Sequence, residues 1–192
     1  MFLLAGPSGA GKTTLLDKLR ENPDFVYSIS CTTRAPRPDE INGRDYLFLS
    51  EEDFKRRLAN NEFLEHALVH RHHYGTLRET VTRNLDQGID VLLDVDIQGA
   101  AKIRAHDNGA LRDYLVDVFL TAPNLEVLRK RLAKRGTETP EMLEIRIQNA
   151  VTEMQHWRDY RYTILSGTAD DDLENFRAIM QAERCASARL AL

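Results

Sequence analysis

Residues 6–13 read GPSGAGKT and satisfy the pattern G-x-x-x-x-G-K-[ST]. Residues 2–5 before the pattern are an apolar run typical of a short strand, and Leu15, Leu16 and Leu19 after it share one face of a helix. A strand, a glycine-rich loop and a helix in this order predict a phosphate-binding loop. Glycines allow several backbone N–H groups to converge on one anion, and the helix N-terminus adds its positive dipole end. The alternative is a glycine-rich turn without a ligand, which the agreement between pattern and flanks disfavours.

The side chains of this loop indicate what it binds. We expect Lys12 to reach the β- and γ-phosphates of a nucleoside triphosphate as a point charge. The hydroxyl of Thr13 is placed to ligate Mg²⁺, so we expect Mg²⁺ as a cofactor. The predicted phosphate-binding residues are Gly6, Pro7, Ser8, Gly9, Ala10, Gly11, Lys12, Thr13 and Thr14.

Composition excludes several classes of protein. The 192 residues suit one domain, or one core with small inserted subdomains, and 42% hydrophobic with 29% charged residues is typical of a soluble globular protein. The chain has no run of about 18 apolar residues, so we expect no membrane span. A net charge of −4 indicates no basic surface for nucleic acid. Cys31 and Cys185 lie too far apart in sequence for a disulfide framework, and the N-terminus lacks the features of a signal peptide, so we expect the cytoplasm.

Strand-like and helix-like segments alternate along the chain. This alternation predicts an α/β fold with a mostly parallel sheet and helices on both faces. Short strands between Ser30 and Thr76, with a turn at 74–76, predict a small antiparallel subdomain inserted into that core. The predicted strands are 2–5, 25–30, 46–49, 63–70, 91–96, 116–120 and 162–165. The predicted helices begin near 12, 51, 77, 97, 125, 140 and 171, with Thr139 as the N-cap before Pro140.

A second candidate phosphate site lies in the insert. Arg34 and Arg37 are three residues apart in a proline-bounded loop, and planar guanidinium groups can grip phosphate oxygens bidentately. Tyr46 and Tyr74 could add phenolic donors. Alternatively, the arginines pair with acidic residues of their own loop, namely Asp39, Glu40 and Asp45. Composition alone leaves both interpretations open.

Several motifs in a fixed order resemble one family. Residues 32–48 read TTRAPRPDEINGRDYLF and closely resemble the guanylate kinase signature, as do residues 62–65, 74–76, 94–99 and 131–137. These matches extend over about residues 2 to 162. The resemblance implies a P-loop kinase with a three-layer fold, an inserted GMP-binding subdomain and a helical lid. It divides the chain into a core of 1–30, 77–123 and 157–192, a GMP-binding subdomain of 31–76 and a lid of 124–156.

The family resemblance also implies a reaction, in which ATP and GMP (or dGMP) give ADP and GDP. The residues that would hold the GMP phosphate are Arg34, Arg37, Tyr46 and Tyr74, and those that would read guanine are Ser30, Glu65, Thr76 and Asp96. A carboxylate at Glu65 suits guanine, because guanine presents N1–H and N2–H₂ as adjacent donors and adenine does not. The alternative for Glu65 is an exposed charge on a strand.

Two carboxylates follow the apolar run 91–93. Asp94 could orient Mg²⁺ through water, as acids at the end of such strands do. The structural alternative for Asp94 and Asp96 is to cap the helix that begins at Ile97, and Asp96 could fill both roles.

The expected mechanism needs no general base. The nucleophile is a GMP phosphate oxygen, which is already ionised at pH 7 because its second pKa is about 6. Positioning and charge neutralisation then carry catalysis, with Lys12 on the loop and a lid that would supply Arg131, Arg135 and Arg146. We expect Arg131 and Arg135 to share one helix face. The alternative is a solvated basic face that pairs with Glu126 or Glu138.

Two stretches depart from the family pattern. Residues 70–73 read HRHH where many guanylate kinases have Gly-Asn-Tyr before the Tyr-Gly pair. A zinc site from these histidines is disfavoured, since no nearby cysteine completes it. Residues 166–172 read SGTADDD where the family usually has Val-Asn-Asp-Asp. The asparagine that lies near adenine is therefore missing, and we predict no residue for that contact.

Two other functions compete with the kinase. Guanylate-kinase-like domains of scaffold proteins bind phosphorylated peptides, but they generally lack an intact phosphate loop, whereas this chain keeps Lys12 and Thr13. A kinase of the same fold with another phosphate acceptor is the second alternative, against which Glu65, Thr76 and Asp96 argue. The expected partners are therefore small-molecule nucleotides, and the sequence does not determine the oligomeric state.

Overall fold

The computed structural model describes residues 1–69, 71–105, 109–134 and 140–189. The chain forms two compact units, one of Met1 with Asp24–Leu115 and the other of Phe2–Pro23 with Val116–Leu192. In chain order the elements are β1 (Phe2–Ala5), α1 (Lys12–Glu21), β2 (Val26–Tyr27), β3 (Cys31–Thr32), β4 (Leu47–Phe48), α2 (Glu51–Ala59), β5 (Phe63–Val69), β6 (His72–Leu77), α3 (Arg78–Asp86), β7 (Val91–Asp94), α4 (Ile97–Arg104), α5 (Gly109–Tyr114), β8 (Val116–Thr121), α6 (Leu125–Ala133), α7 (Pro140–Met154), β9 (Tyr162–Leu165) and α8 (Ala169–Arg184). Short 3₁₀ turns lie at Gln155–Asp159 and Ser187–Arg189.

The unit that holds the phosphate loop contains three parallel strands. β1 pairs with β8, and β8 pairs with β9. Every residue of β1 and β8 is buried, as strands covered on both faces require. Phe2 and Phe176 meet edge to face with their ring centres 6.5 Å apart, which packs α8 against β1. A second apolar cluster around Leu128, Leu132 and Ile147 joins α6 to α7.

The other unit contains two groups of strands. β2 and β7 pair in parallel. A separate sheet has the order β4-β3-β6-β5. The β3–β6 and β5–β6 pairs are antiparallel, which confirms the predicted small sheet, but β3 and β4 run parallel. Cys31, Phe54 and Phe63 form the core under this sheet, with the two phenylalanine rings stacked 4.4 Å apart.

Several predicted boundaries of strands and helices were wrong. Residues 74–76 form part of β6 rather than a turn, and a Cβ on Gly75 would lie 2.8 Å from the Phe63 ring on β5. The predicted strand 91–96 ends at Asp94, because Asp96 caps α4. The predicted strand 25–30 shortens to β2, and α5 was not predicted at all.

The predicted N-cap Thr139 lies outside the described residues, although α7 does begin at Pro140. None of the helices in the described ranges is long and apolar enough to cross a lipid bilayer. The proposed boundaries of the GMP-binding subdomain and of the lid stay predictions.

Candidate active site

The phosphate loop joins β1 to α1, and its glycines have positive φ. The φ angles are 152° at Gly6, 83° at Gly9 and 108° at Gly11. A Cβ on Gly6 would lie 2.0 Å from the Leu120 carbonyl oxygen of β8, so only glycine fits there. Lys12 opens α1, and its Nζ donates to the Gly6 carbonyl oxygen at 2.5 Å. The ammonium group is therefore folded over the loop.

Two side chains of α7 reach the start of this loop. Arg146 Nη2 donates to the Ser8 hydroxyl at 3.0 Å, and the Ser8 backbone N–H donates to Glu153 Oε2 at 3.3 Å. Arg146 is one of the three arginines predicted for the lid. Glu153 was not singled out from the sequence, because nothing in its neighbourhood distinguishes it from other helical glutamates.

Arg131 of α6 contacts the loop at Ala10. Its Nη1 donates to the Ala10 carbonyl oxygen at 2.9 Å and to the Ser166 hydroxyl at 2.8 Å. Its Nη2 donates to the carbonyl oxygens of Ser166 at 3.4 Å and Gly167 at 3.2 Å. The helix α6 ends at Ala133, and the prediction that Arg131 and Arg135 share one helix face stays a prediction. Arg135 itself lies outside the described residues.

A cavity of about 270 Å³ opens beside the loop. Its lining includes Gly9, Gly11, Thr14, Arg131, Ser166 and Asp172. Ser166 and Asp172 belong to the segment that departs from the family pattern, and neither residue has a role predicted from the sequence. The available signal was an aspartate within the first turn of a helix that follows a strand.

A buried carboxylate marks the candidate base site in the other unit. Glu65 on β5 faces Thr76 on β6, and the Thr76 hydroxyl donates to Glu65 Oε1 at 2.8 Å. Glu65 is 7% exposed, so the interpretation of this residue as an exposed strand charge was wrong. Burial raises the pKa of Glu65 to about 7, the Thr76 hydrogen bond opposes the shift, and the nearby Asp96 charge adds to it.

Asp96 and Gly99 complete the wall beside Glu65. The Asp96 side chain is the N-cap of α4, since its Oδ1 accepts from the Gly99 backbone N–H at 2.7 Å. A Cβ on Gly99 would lie 2.9 Å from Glu65 Oε2 and 3.1 Å from Asp96 Oδ1. The absence of a side chain at Gly99 therefore leaves space for two carboxylates. The predicted cap at Asp96 is confirmed, and Asp94 ends β7 instead of capping the helix.

Three of the candidate GMP-phosphate residues lie together: Arg34 in the loop after β3, Tyr46 directly before β4 and Tyr74 on β6. The Tyr46 and Tyr74 ring centres are 6.0 Å apart, and the Arg34 guanidinium lies 5.5 Å from the Tyr46 ring centre. Arg34 Nη2 also donates to Glu40 Oε1 at 2.7 Å, so pairing within the loop and clustering with the tyrosines occur together. The hydrogen bond to Glu40 raises the pKa of Arg34, and burial with the Asp94 charge raises the pKa of Tyr46.

Arg37 is held less firmly than these residues, whereas the backbone of Ser30 is fixed. The Arg37 side chain is 74% exposed, and its Nη1 lies 3.8 Å from Glu40 Oε1. The Ser30 carbonyl oxygen accepts from the Leu47 backbone N–H at 2.9 Å, which fixes the backbone at the start of β3. A ligand would therefore have to draw the Arg37 side chain inward, whereas Arg34 is already in position.

The comparisons with known proteins identify the family. A profile of the family described as guanylate kinase matches residues 1–183. The chain belongs to the guanylate kinase family. A guanylate kinase of Clostridium perfringens (strain 13 / Type A) is 40% identical over 191 residues, which cover 99% of this chain and 86% of that protein. A guanylate kinase of Caldanaerobacter subterraneus subsp. tengcongensis is 42% identical over 186 residues, 96% of this chain and 88% of that protein.

A solved structure agrees with this assignment. The crystal structure of guanylate kinase from Anaplasma phagocytophilum matches with a TM-score of 0.81 at 32% identity, over 98% of this chain and 88% of that chain. The fold predicted from the sequence, an α/β P-loop kinase with a mostly parallel sheet and a small antiparallel sheet, is thus confirmed.

The residues of this guanylate kinase family member offer oxygen donors for Mg²⁺. Thr13 is exposed in the first turn of α1, and Asp94 is partly exposed at the end of β7. Hard oxygen ligands of this kind fit Mg²⁺, which commonly takes one or two protein oxygens and completes its shell with phosphate and water. In the described ranges, no three His, Cys, Asp or Glu side chains gather into a metal cluster. That finding gives the zinc interpretation of His72 and His73 no support there; His70 lies outside the described residues.

Proposed function

We propose that this protein transfers the γ-phosphoryl group of ATP to GMP or dGMP, giving ADP and GDP. The observation that carries the proposal is the buried pair of Glu65 and Thr76 beside Asp96, in a chain with an intact phosphate loop. A buried carboxylate can accept from guanine N1–H and N2–H₂ together. Adenine presents an acceptor at N1, so the same carboxylate would reject AMP by a large factor, about 10⁴.

The acceptor phosphate would be held by the cluster of Arg34, Arg37, Tyr46 and Tyr74. Arg34 offers a planar fork of N–H donors, which matches two phosphate oxygens at once. The bond to Glu40 pre-positions this fork against Tyr46, so less conformational entropy is lost when the phosphate binds. The phosphate oxygen that attacks is already ionised near neutral pH, so no general base is needed to deprotonate it.

The donor phosphates would be held by residues 6–14. Backbone N–H groups of the loop and the N-terminus of α1 stabilise their negative charge, and Lys12 adds a full positive charge. Thr13 and, through water, Asp94 would hold Mg²⁺, which neutralises charge on the phosphates when bound. Arg131 and Arg146 reach the loop from α6 and α7, and we assign them, with Arg135, to the developing charge of the transferring group.

A substrate panel tests the proposed reaction. ADP release from ATP and Mg²⁺ should require GMP or dGMP and remain at background with AMP, CMP, UMP or no acceptor. Lys12→Ala should abolish it, whereas the matched control Lys18→Ala, which removes an exposed pair with Asp170, should not. Turnover with another monophosphate would refute the role of Glu65. Binding of GMP without turnover would instead support a guanylate-kinase-like binding module.

We also propose the cytoplasm as the site of this reaction. Both cysteines are free, Cys31 buried and Cys185 exposed, which is compatible with a reducing compartment. Burial raises the pKa of Cys31 to about 11, so its thiol stays protonated and unreactive at neutral pH.

A further inference from the structure

The guanidinium of Arg131 is held beside the phosphate loop by hydrogen bonds. Within the described residues it donates four hydrogen bonds, to Ala10, Ser166 and Gly167, and all of the acceptors are uncharged oxygens. Backbone carbonyls accept from several directions, so they define the orientation of a cation only loosely. The Ser166 hydroxyl, at 2.8 Å from Nη1, is the one side-chain acceptor in this set.

A buried carboxylate lies behind that hydroxyl. Asp172 is 4% exposed in the first turn of α8, and its Oδ2 accepts from the Ser166 hydroxyl at 2.7 Å. Its other oxygen, Oδ1, accepts from the Gly167 backbone N–H at 2.9 Å. Both carboxylate oxygens therefore bind residues that in turn bind Arg131.

The direction of the Ser166 proton follows from this arrangement. A carboxylate only accepts hydrogen bonds, so the single hydroxyl proton of Ser166 must point to Asp172. The hydroxyl lone pairs are then left for Arg131, which can only donate. One hydroxyl thus connects the carboxylate to the guanidinium, and in this relay of Asp172, Ser166 and Arg131 each hydrogen bond polarises the next.

This relay stands directly against the phosphate loop. A Cβ on Gly11 would lie 3.4 Å from Ser166 Oγ, 3.8 Å from Arg131 Nη1 and 3.9 Å from Asp172 Oδ2. Gly11 is the N-cap of α1 and precedes Lys12. All three members of the relay also line the cavity beside the loop. A rotation of the Arg131 guanidinium would therefore move its charge relative to the bound donor phosphates.

We propose that Asp172 is a positioning residue for the phosphoryl transfer, acting through Ser166 to hold Arg131 against the phosphate loop. The inference rests on the proposed catalytic role of Arg131. Asp172 would act indirectly, because its two carboxylate oxygens accept from the Ser166 hydroxyl and the Gly167 backbone N–H. The segment that departs from the family pattern thereby supplies an orienting device for a residue that the family pattern contains.

Two variants break the relay at different points. Asp172→Asn keeps the shape of the side chain but can donate a hydrogen bond to Ser166, so that the hydroxyl proton can turn towards Arg131. Ser166→Ala removes the connecting hydroxyl. Each should lower kcat about tenfold while the KM for GMP changes less than twofold, because the acceptor site lies on other elements. Asp170→Asn, which removes an exposed charge from the same helical turn, is the matched control and should leave kcat unchanged.

A double-mutant cycle separates positioning from a merely structural role. If Asp172 acts through Arg131, the Arg131→Ala/Asp172→Asn protein should be no slower than Arg131→Ala alone. Two results would overturn the inference: losses in kcat that multiply in the double variant, or an unchanged kcat in both Asp172→Asn and Ser166→Ala. In either case, GMP-dependent turnover of the wild-type protein would still uphold the proposed function. If Asp172→Asn fails to fold, the cycle with Ser166→Ala decides by the same criterion. A wild-type protein inactive with GMP would overturn the proposed function and, with it, this inference.

Discussion

The hydroxyl of Thr76 donates to Glu65 Oε1 at 2.8 Å across the β5–β6 pair. This hydrogen bond favours the ionised carboxylate, yet burial outweighs it and raises the pKa of Glu65 to about 7. The unliganded site therefore holds a carboxyl that is partly protonated at neutral pH. Donors from a guanine base would supply the further hydrogen bonds that the ionised form lacks.

The first prediction concerns the pH dependence of GMP binding. Only the ionised Glu65 can accept from both N1–H and N2–H₂, so binding below pH 7 must first release a proton. We expect the Kd for GMP to rise as the pH falls below about 7, approaching tenfold per pH unit well below the pKa. Isothermal titration calorimetry between pH 5.5 and 8.5, with proton release measured in buffers of different ionisation enthalpy, tests this directly.

The control for this prediction is Glu65→Gln. The GMP phosphate itself titrates with a pKa of about 6, and that contribution is common to both proteins. The ratio of the two Kd values should therefore isolate the Glu65 proton. A ratio that stays constant across pH would show that Glu65 does not titrate in this range.

The second prediction concerns the space that Gly99 leaves for the two carboxylates. Gly99→Ala places a methyl group 2.9 Å from Glu65 Oε2 and must displace it. We expect a loss of about 1–3 kcal/mol in GMP binding with little change in ATP binding, because the strain falls on the base site. Separate titrations with the two nucleotides provide the measurement. Ala101→Ser, an addition of one atom on the exposed face of the same helix, is the control, and an equal loss there would contradict the assignment.

The third prediction tests whether Arg34 acts as a fork or merely as a charge. Arg34→Lys keeps the positive charge but loses the planar pair of donors and the contact with the Tyr46 ring. We expect the KM for GMP to rise by the equivalent of about 2 kcal/mol, with a smaller effect on kcat at saturating GMP. Arg44→Lys is the matched control, since Arg44 is exposed and pairs with Asp45 at 3.0 Å. A KM unaffected by Arg34→Lys would mean that any cation suffices at this position.

The fourth prediction compares two glycines with positive φ. Gly6→Ala combines an unfavourable backbone angle with a Cβ 2.0 Å from the Leu120 carbonyl oxygen, whereas a Cβ on Gly88 would meet nothing within 4 Å. We expect Gly88→Ala to cost about 1–2 kcal/mol in the free energy of unfolding, and Gly6→Ala to cost clearly more. Urea denaturation of both variants gives the comparison. Equal losses would show that the β8 carbonyl can move away from the loop.

Local signals in the sequence predicted the phosphate loop and several helix starts. The phosphate loop follows from the spacing of Gly6, Gly11 and Lys12, and its positive φ angles are a property of the glycines themselves. Caps at Ser50 and Asp96 involve residues three positions apart, so these helix starts could be placed from neighbouring residues alone.

The sequence did not predict which strands pair with one another. Tyr74-Gly75-Thr76 has the composition of a turn. These residues nevertheless form part of β6, because they pair with β3 on one side and with β5 on the other. The same composition is compatible with either structure, and the cross-strand partners decide between them. The parallel pairing of β3 with β4 has no local signal either, since each strand is only two residues long.

The sequence by itself determined which side chains are proposed to carry the chemistry: Lys12 on its loop, the arginines and the carboxylate of Glu65. The tertiary structure decided how each one behaves. Burial between β5 and β6 raises the pKa of Glu65, and the convergence of α6 with the segment after β9 gives Arg131 its partners at Ser166. Backbone angles and helix caps depend on atoms a few residues away, so a sequence specifies them directly. Solvation and hydrogen-bond partners depend on segments far apart in the chain, which only the folded structure brings together.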